Sequence, residues 1–360
     1  MTKRRVLLCK SNGAGLGHVT RMMAVAEQLG SEFDTTLFTL SAALPIPVNA
    51  GLRVEHLPSA GYLDTPGNAW HDLLEDRLEH LIARYRPHLI MFDGVHPYRG
   101  LTNVLGRRRR RRPVRVWMRR GMWKPGIRTT AIQLAEYFDH VVEPGDYAQS
   151  YDLGATAAAE TGVHRVAPIC YRGPNPPLDR AAACAHLGLD ATQTNALIQL
   201  GAGAINDITS TLGQVVSKLN QRSVVVSVAR SVLSAECHES TAGAAVVSEF
   251  PISRFFGAFD LAAIATGYNS FHEVLALGLP SIMVPNLDTA TDDQDARSRW
   301  ADEHGLGYRW DGTSAPGLAR AVDGLVSSGE RAEIRHRLDA LPDATGSGEV
   351  AHLIDNWTST

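Results

Sequence analysis

The residues best suited to chemistry lie in four short segments. The first is Ser11-Asn-Gly-Ala-Gly-Leu-Gly-His-Val-Thr-Arg21. Gly13, Gly15 and Gly17 permit tight turns and a close approach of backbone to ligand. The N–H groups at the helix start that follows suit an anion or a polar group. His18 stands at that start and reads either as a general base or as a ring that caps and packs. The spacing G-x-G-x-G is not the dinucleotide G-x-G-x-x-G, and no acid ends the second predicted strand, which argues against a nicotinamide dehydrogenase.

The second segment is Gly267-Tyr-Asn-Ser-Phe-His-Glu273, followed by Leu275-Ala-Leu-Gly-Leu-Pro. It joins a predicted strand end to a helix start, where unpaired N–H groups and the helix dipole suit a diphosphate. Ser270-x-x-Glu273 matches a capping box, so Glu273 reads either as a cap or as a hydrogen-bond acceptor for ribose hydroxyls. The third segment is Asp292-Asp-Gln-Asp295. Acids are common at a helix start for dipole reasons, and a carboxylate beside an amide also suits sugar hydroxyls. The fourth is Leu200-Gly-Ala-Gly203 with Asn206, a glycine-rich loop that is weak evidence alone.

These segments need strand ends and helix starts to carry them, and the chain supplies both. Short apolar runs alternate with helical periodicity: strands are predicted at 5–10, 35–40, 53–57, 88–92, 114–118 and 140–142, with helices at 19–29, 70–83 and 129–137. The pattern pauses at Tyr171-Arg-Gly-Pro-Asn-Pro-Pro, a linker composition. It restarts with strands at 195–200, 223–229, 244–248, 261–265 and 281–284 and helices at 208–219, 271–277 and 293–301. The α/β reading is therefore two doubly wound parallel-sheet domains. The length of 360 residues suits two such domains.

Charge is unevenly placed. The net charge is −3, yet from Arg107 to Arg128 the chain carries eleven Lys or Arg and no acid. This segment reads either as a solvated loop or as a surface for phosphate, an acidic acceptor or anionic lipid. The acidic remainder and the lack of a nucleic-acid motif argue against nucleic acid. Trp117, Met118, Met122 and Trp123 share the segment and read as contacts for a part-apolar acceptor or as core. Four scattered cysteines, no signal-peptide core and no apolar span lead us to expect a cytoplasmic protein, with peripheral contact at the inner membrane face left open.

Taken together, these residues resemble the GT-B glycosyltransferases, especially the group around MurG and the wider UDP-glycosyltransferases. The resemblance covers most of the chain. It is strongest where Ser248-Glu-Phe-Pro-Ile, Phe259-Asp-Leu-Ala-Ala-Ile, Gly267 to Glu273, Gly278-Leu-Pro, Pro285 and Asp293-Gln294 occur in the family's order. It implies a GT-B architecture with a cleft between the two Rossmann-like domains. Residues 1–170 would bind the acceptor and residues 171–345 the nucleotide-sugar donor, with a helix at 346–360 packing back on the first domain.

The resemblance further implies that Phe250 and Pro251 face the nucleobase. Gly201, Gly203, Gly267, Asn269 and Ser270 would hold the diphosphate, Glu273 the ribose, and Asp293 and Gln294 the sugar. His18 matches the family's acceptor-activating histidine. Asp93, in Ile90-Met-Phe-Asp-Gly94, would orient it or serve only as a strand-end turn acid. Gly15, Gly17, Arg120 and Trp123 are the expected acceptor contacts. The expected activity is inverting, metal-independent transfer from a nucleotide-diphosphate sugar, a UDP-sugar by resemblance. The acceptor would be a hydroxyl compound, anionic or lipid-linked, and no cofactor is required. Gly-Leu-Gly-His-Val-Thr-Arg departs from the Gly-Gly-His of peptidoglycan enzymes and also resembles the UDP-sugar hydrolase of pseudaminic acid synthesis. A nucleotide-sugar hydrolase is therefore the alternative, and a non-catalytic polyanion- or membrane-binding protein a third reading.

Overall fold

A computed structural model describes residues 2–11, 16–127, 130–158, 162–201, 208–230 and 243–359. Gly13, Gly15, Gly203, Asn206 and Cys237 lie outside the described residues. The chain divides into two units. One holds Met1–Asp146, Asp152–Ile169 and Thr345–Thr360, the other Tyr147–Tyr151 and Cys170–Ala344.

Among the described residues, the first unit is built on a seven-stranded sheet, ordered β3-β2-β1-β4-β5-β6-β7. The strands are β1 (Arg4–Lys10), β2 (Phe33–Thr39), β3 (Arg53–His56), β4 (Leu89–Asp93), β5 (Val114–Met118), β6 (His140–Pro144) and β7 (Val163–Val166). All pairs are parallel. The chain moves outward from β1 to β3, then returns to the other side of β1 to start β4, so the strand order reverses between β1 and β4. Doubly wound sheets bind ligands beyond the carboxyl ends at such a reversal. Lys10 ends β1 and Asp93 ends β4, and the register sets them opposite each other.

Helices cover both faces because apolar residues recur at helical spacing. In the helix Gly67–Tyr85, Trp70, Leu74, Leu78, Leu81 and Ile82 are buried. They join Cys9, Phe92, Leu101 and Val104 in one core cluster. The opposite face receives the helix Gly17–Gln28 and, against it, the C-terminal helix Gly346–Thr358. Arg4 bonds Asp355 at 2.6 Å, and Trp357 stacks on His140 with ring centroids 4.0 Å apart.

The second unit repeats the plan with six strands among its described residues, ordered β10-β9-β8-β11-β12-β13. They are β8 (Asn195–Gln199), β9 (Val225–Ala229), β10 (Ala244–Val247), β11 (Leu261–Ala265), β12 (Ser281–Val284) and β13 (Tyr308–Arg309). Here the order reverses between β8 and β11. These parallel strands are almost wholly apolar, as expected of a sheet covered on both faces. The sequence reading did not include β7 or β13, which are short edge strands with few apolar residues. Cys9, Cys170 and Cys184 are buried free thiols. No helix among the described residues is long and apolar enough to cross a membrane.

Packing of the C-terminal helix depends on one missing side chain. A Cβ on Gly346 would lie 1.9 Å from the Ala167 carbonyl oxygen, whereas one on Gly348 would meet only the Gln28 side chain at 3.9 Å. Gly346→Ala should therefore cost about 1–3 kcal/mol or more and lower the urea midpoint, while Gly348→Ala leaves it near the wild-type value. Equal midpoints for the two variants would contradict this packing.

Candidate functional site

The first constellation forms at the reversal between β1 and β4. The main-chain N–H of Ser11 donates to the Asp93 carbonyl at 2.8 Å, tying the ends of the two strands together. Gly94 follows Asp93 in a space where a Cβ would come within 2.6 Å of the Phe92 ring and 2.8 Å of Ser11 Cβ. The Trp117 indole N–H donates to the Gly94 carbonyl at 2.8 Å. Backbone, glycine and tryptophan thus fix the direction of the Asp93 side chain.

Asp93 is 1% exposed and is met by two side chains of the helix Gly17–Gln28. Arg21 approaches it as a fork, Nε donating to Oδ2 at 3.1 Å and Nη2 to Oδ1 at 2.8 Å. His18 Nδ1 lies 2.9 Å from Oδ1. Burial works to raise the Asp93 carboxyl, but Arg21 and His18 outweigh it and hold the group down at about 2. Burial lowers the His18 ring below its usual value, with Arg21 and Arg120 adding to this against Asp93.

His18 Nδ1 is also 2.7 Å from Arg21 Nη2. One nitrogen cannot donate to the carboxylate and accept from the guanidinium at once. The Nδ1–H tautomer donates to Asp93 and leaves Nε2 with a lone pair, which is what a base needs. Arg21 was given no role in the sequence reading. Its signal was the i, i+3 spacing from His18, which puts both side chains on one helix face.

The expected acceptor contacts fare differently. Gly17 opens the helix and Arg120 is half-buried, close enough to His18 to act on its charge. Gly15 lies outside the described residues. Trp123 is 1% exposed and packed in the interior, as are Trp117, Met118 and Met122. The acceptor contact expected of Trp123 is therefore corrected to core packing, because these side chains continue the buried pattern of β5 rather than leaving it.

The arginine run is also reassigned. Arg107 pairs with Glu75 and Glu79, Arg109 with Glu79, and Arg112 and Arg115 with Asp139. The run precedes β5, so it lies at the amino edge of the sheet, while His18 and Asp93 lie at the carboxyl edge. At about 3.3 Å per residue, the five residues of β5 separate the two edges by roughly 16 Å. This position does not suit capture of an acceptor for His18.

In the second unit, Gly201, Gly267, Asn269, Ser270 and Glu273 follow β8 or β11, the two strands at the reversal, whereas Phe250 and Pro251 follow β10. Gly201 follows β8 with φ +91°, a backbone conformation that favours glycine. Gly203 is outside the described residues. Gly267 follows β11 and is the N-cap of the helix Tyr268–Ala276, with no side chain capping it. Ser270 is thus the third helical residue and Glu273 lies deeper in the helix, so the capping-box reading of this pair is corrected. Asn269 and Ser270 are half-buried on the first turn.

Glu273 is 8% exposed, and no described residue offers its carboxylate a hydrogen bond or a charge. Burial pushes the group up to about 8. Asp293 Oδ1 accepts from the Ala296 N–H at 3.0 Å, so this carboxylate caps the helix Gln294–Glu303. Gln294 uses its Oε1 to accept from the Asn286 N–H at 3.0 Å, and a Cβ on Gly267 would lie 3.6 Å from its Nε2. Phe250 and Pro251, joined by a cis peptide, are half-buried, and Phe250 stacks on Tyr171. No group of three or more His, Cys, Asp or Glu among the described residues is placed to hold a metal ion.

The Glu273 environment generates a pH test. Its folded value lies above the ordinary one, so its contribution to stability is complete below about 4.5 and is lost as pH rises through about 8. Glu273→Gln should therefore gain in Tm relative to wild type as pH goes from 5 to 9 without ligand. A difference that does not vary with pH would contradict an uncompensated buried carboxyl.

No protein-family model and no curated protein sequence matches the chain. Solved structures do. The glycosyltransferase SnogD from Streptomyces nogalater aligns at 13% identity over 99% of this chain and 100% of its own, with a TM-score of 0.66. The spinosyn rhamnosyltransferase SpnG, complexed with thymidine diphosphate, aligns at 14% identity over 98% and 100%, with a TM-score of 0.63. MurG of Acinetobacter baumannii aligns at 14% identity over 98% and 99%, with a TM-score of 0.61. With its two parallel sheets and near-complete coverage by these structures, the chain has the GT-B fold of the glycosyltransferases.

Proposed function

We propose that the protein is a glycosyltransferase that takes its sugar from a nucleoside-diphosphate donor. The observation that carries this reading is the pairing of His18 with a buried, ionised Asp93 at the strand reversal of a GT-B fold. In this reading Asp93 holds the imidazole in the Nδ1–H form. His18 Nε2 takes the proton of an acceptor hydroxyl as the oxygen attacks the anomeric carbon, and the diphosphate leaves from the opposite face with inversion. Arg21 neutralises Asp93 without protonating it, so the carboxylate stays charged through the cycle.

We assign donor binding to the second unit. The N–H groups at the start of the helix Tyr268–Ala276 meet the charge that grows on the leaving diphosphate, together with Gly201 and Gly203 of the preceding loop. Oriented N–H dipoles perform this role without a metal. Glu273 accepts from the ribose hydroxyls, which supply the donors its carboxylate lacks. Phe250 and Pro251 lie along the base, and Asp293 and Gln294 reach the sugar. A neighbour of the same fold complexed with thymidine diphosphate supports a nucleoside diphosphate as the ligand class and leaves both UDP and dTDP as donors to test. Of the exposed arginines in the run, Arg107 and Arg112 are engaged by carboxylates, and any contact with an anionic membrane would use Arg108, Arg110 and Arg111.

Calorimetric titration with UDP and dTDP tests the donor site. Glu273→Ala should weaken binding of the preferred nucleotide by about 1.5–3 kcal/mol. Unchanged affinity would remove Glu273 from the site. Initial rates with a turned-over donor test the base. His18→Ala should lower turnover by about 10²–10⁴-fold with donor affinity retained. Asp93→Asn should also lower it, because the amide no longer selects the Nδ1–H tautomer. Full turnover in either variant would contradict the assignment.

A further inference from the structure

Lys10 is a buried cation, 1% exposed, whose ammonium makes no hydrogen bond. Asp93 sits opposite it in the register and attracts its charge, but the hydrogen bonds of the Asp93 oxygens go to Arg21 and His18. Burial of an ammonium that makes no hydrogen bond is costly, and a methionine would fill a similar volume without the penalty. A chain that keeps lysine here keeps it against stability, which is a mark of binding sites.

The row that contains Lys10 repeats the pattern. Cys9 lies opposite Phe38, which sets Thr39 beside Lys10, and Thr39 in turn pairs with His56 at the end of β3. His56 Nε2 is likewise buried and without a hydrogen bond. Thr39 Oγ1 accepts from the Ser41 N–H at 3.1 Å, and its hydroxyl hydrogen remains able to donate. Burial first, then the Lys10 charge, lowers the His56 ring. Burial lowers the Lys10 amine to about 8, against the pull of Asp93. Two unsatisfied nitrogens and a hydroxyl thus line the carboxyl edge of β3, β2 and β1, next to the reversal that holds Asp93.

We propose that Lys10, Thr39 and His56 form an oxyanion subsite of the first unit, and that it receives a phosphate or carboxylate group carried by the acceptor. This rests on the glycosyltransferase reading for the word acceptor, but not for the binding itself. A compact oxyanion offers acceptors to the ammonium, the hydroxyl and the ring together, and its charge repays the burial of Lys10. The acceptor is then an acidic hydroxyl compound, oriented by its anionic group relative to His18.

The test is thermal unfolding of the full chain with inorganic phosphate or sodium acetate as probes, each with and without saturating UDP or dTDP. The nucleotide occupies the diphosphate loop of the second unit, so any further shift reports the subsite. Wild type should be stabilised by phosphate or acetate on top of nucleotide, and the stronger probe identifies the oxyanion. Lys10→Met should lose that increment, keep the nucleotide shift and show a higher Tm without ligand. His56→Gln should reduce the increment and serves as the reporter if Lys10→Met fails to fold. An oxyanion increment equal in variants and wild type, or absent from wild type with both probes, overturns the subsite. Loss of the nucleotide shift in wild type, with the oxyanion increment intact, would instead overturn the donor reading.

Discussion

The ionised state of Asp93 is the constraint on which the first site depends. A carboxylate at 1% exposure would ordinarily take up a proton. It does not, because the Arg21 fork and the His18 ring, one helical turn apart, both close on it. The helix that presents both is the element that follows β1, and Asp93 can meet them only because β4 returns to lie beside β1. Crossover topology, the Ser11–Asp93 backbone bond and the space reserved at Gly94 are all conditions for one charge to remain in the interior.

The second unit places its own carboxylate at the same kind of reversal, with the opposite result. Glu273 is buried with no cation to hold it down, and its group rises to about 8. Asp93 is satisfied before any ligand arrives, whereas Glu273 is not. The first is suited to fixing the tautomer of a neighbouring ring, and the second to accepting hydrogen bonds from an incoming molecule. Lys10, opposite Asp93 in the register, belongs with Glu273 in one respect: its buried polar end makes no hydrogen bond.

Much of this was legible in the sequence, for physical reasons. Buried parallel strands read as short apolar runs, so the alternation that predicted two doubly wound domains reflects the sheets themselves. His18 and Asp93 each stood at a strand end or helix start, where position alone made them notable. The rest depended on distant partners. The arginine run looked unpaired because Glu75 and Glu79 come from a preceding helix and Asp139 from the turn before β6. Ser270 and Glu273 had capping-box spacing, but the helix begins earlier, at Tyr268 after its Gly267 cap. Trp123 shared a segment with cations while its side chain belonged to the core. Lys10 closes a predicted strand, and only the fold shows that it is buried with an ammonium that makes no hydrogen bond.

The central claim is that His18 activates an acceptor hydroxyl for transfer of a sugar. Mass spectrometry of products formed from nucleotide sugars in the presence of a cell-extract acceptor pool tests it most directly. The account predicts a new species heavier than its acceptor by one glycosyl unit, formed by wild type and lost in His18→Ala. Release of free sugar at the same rate with and without acceptors, and dependent on His18, would contradict it.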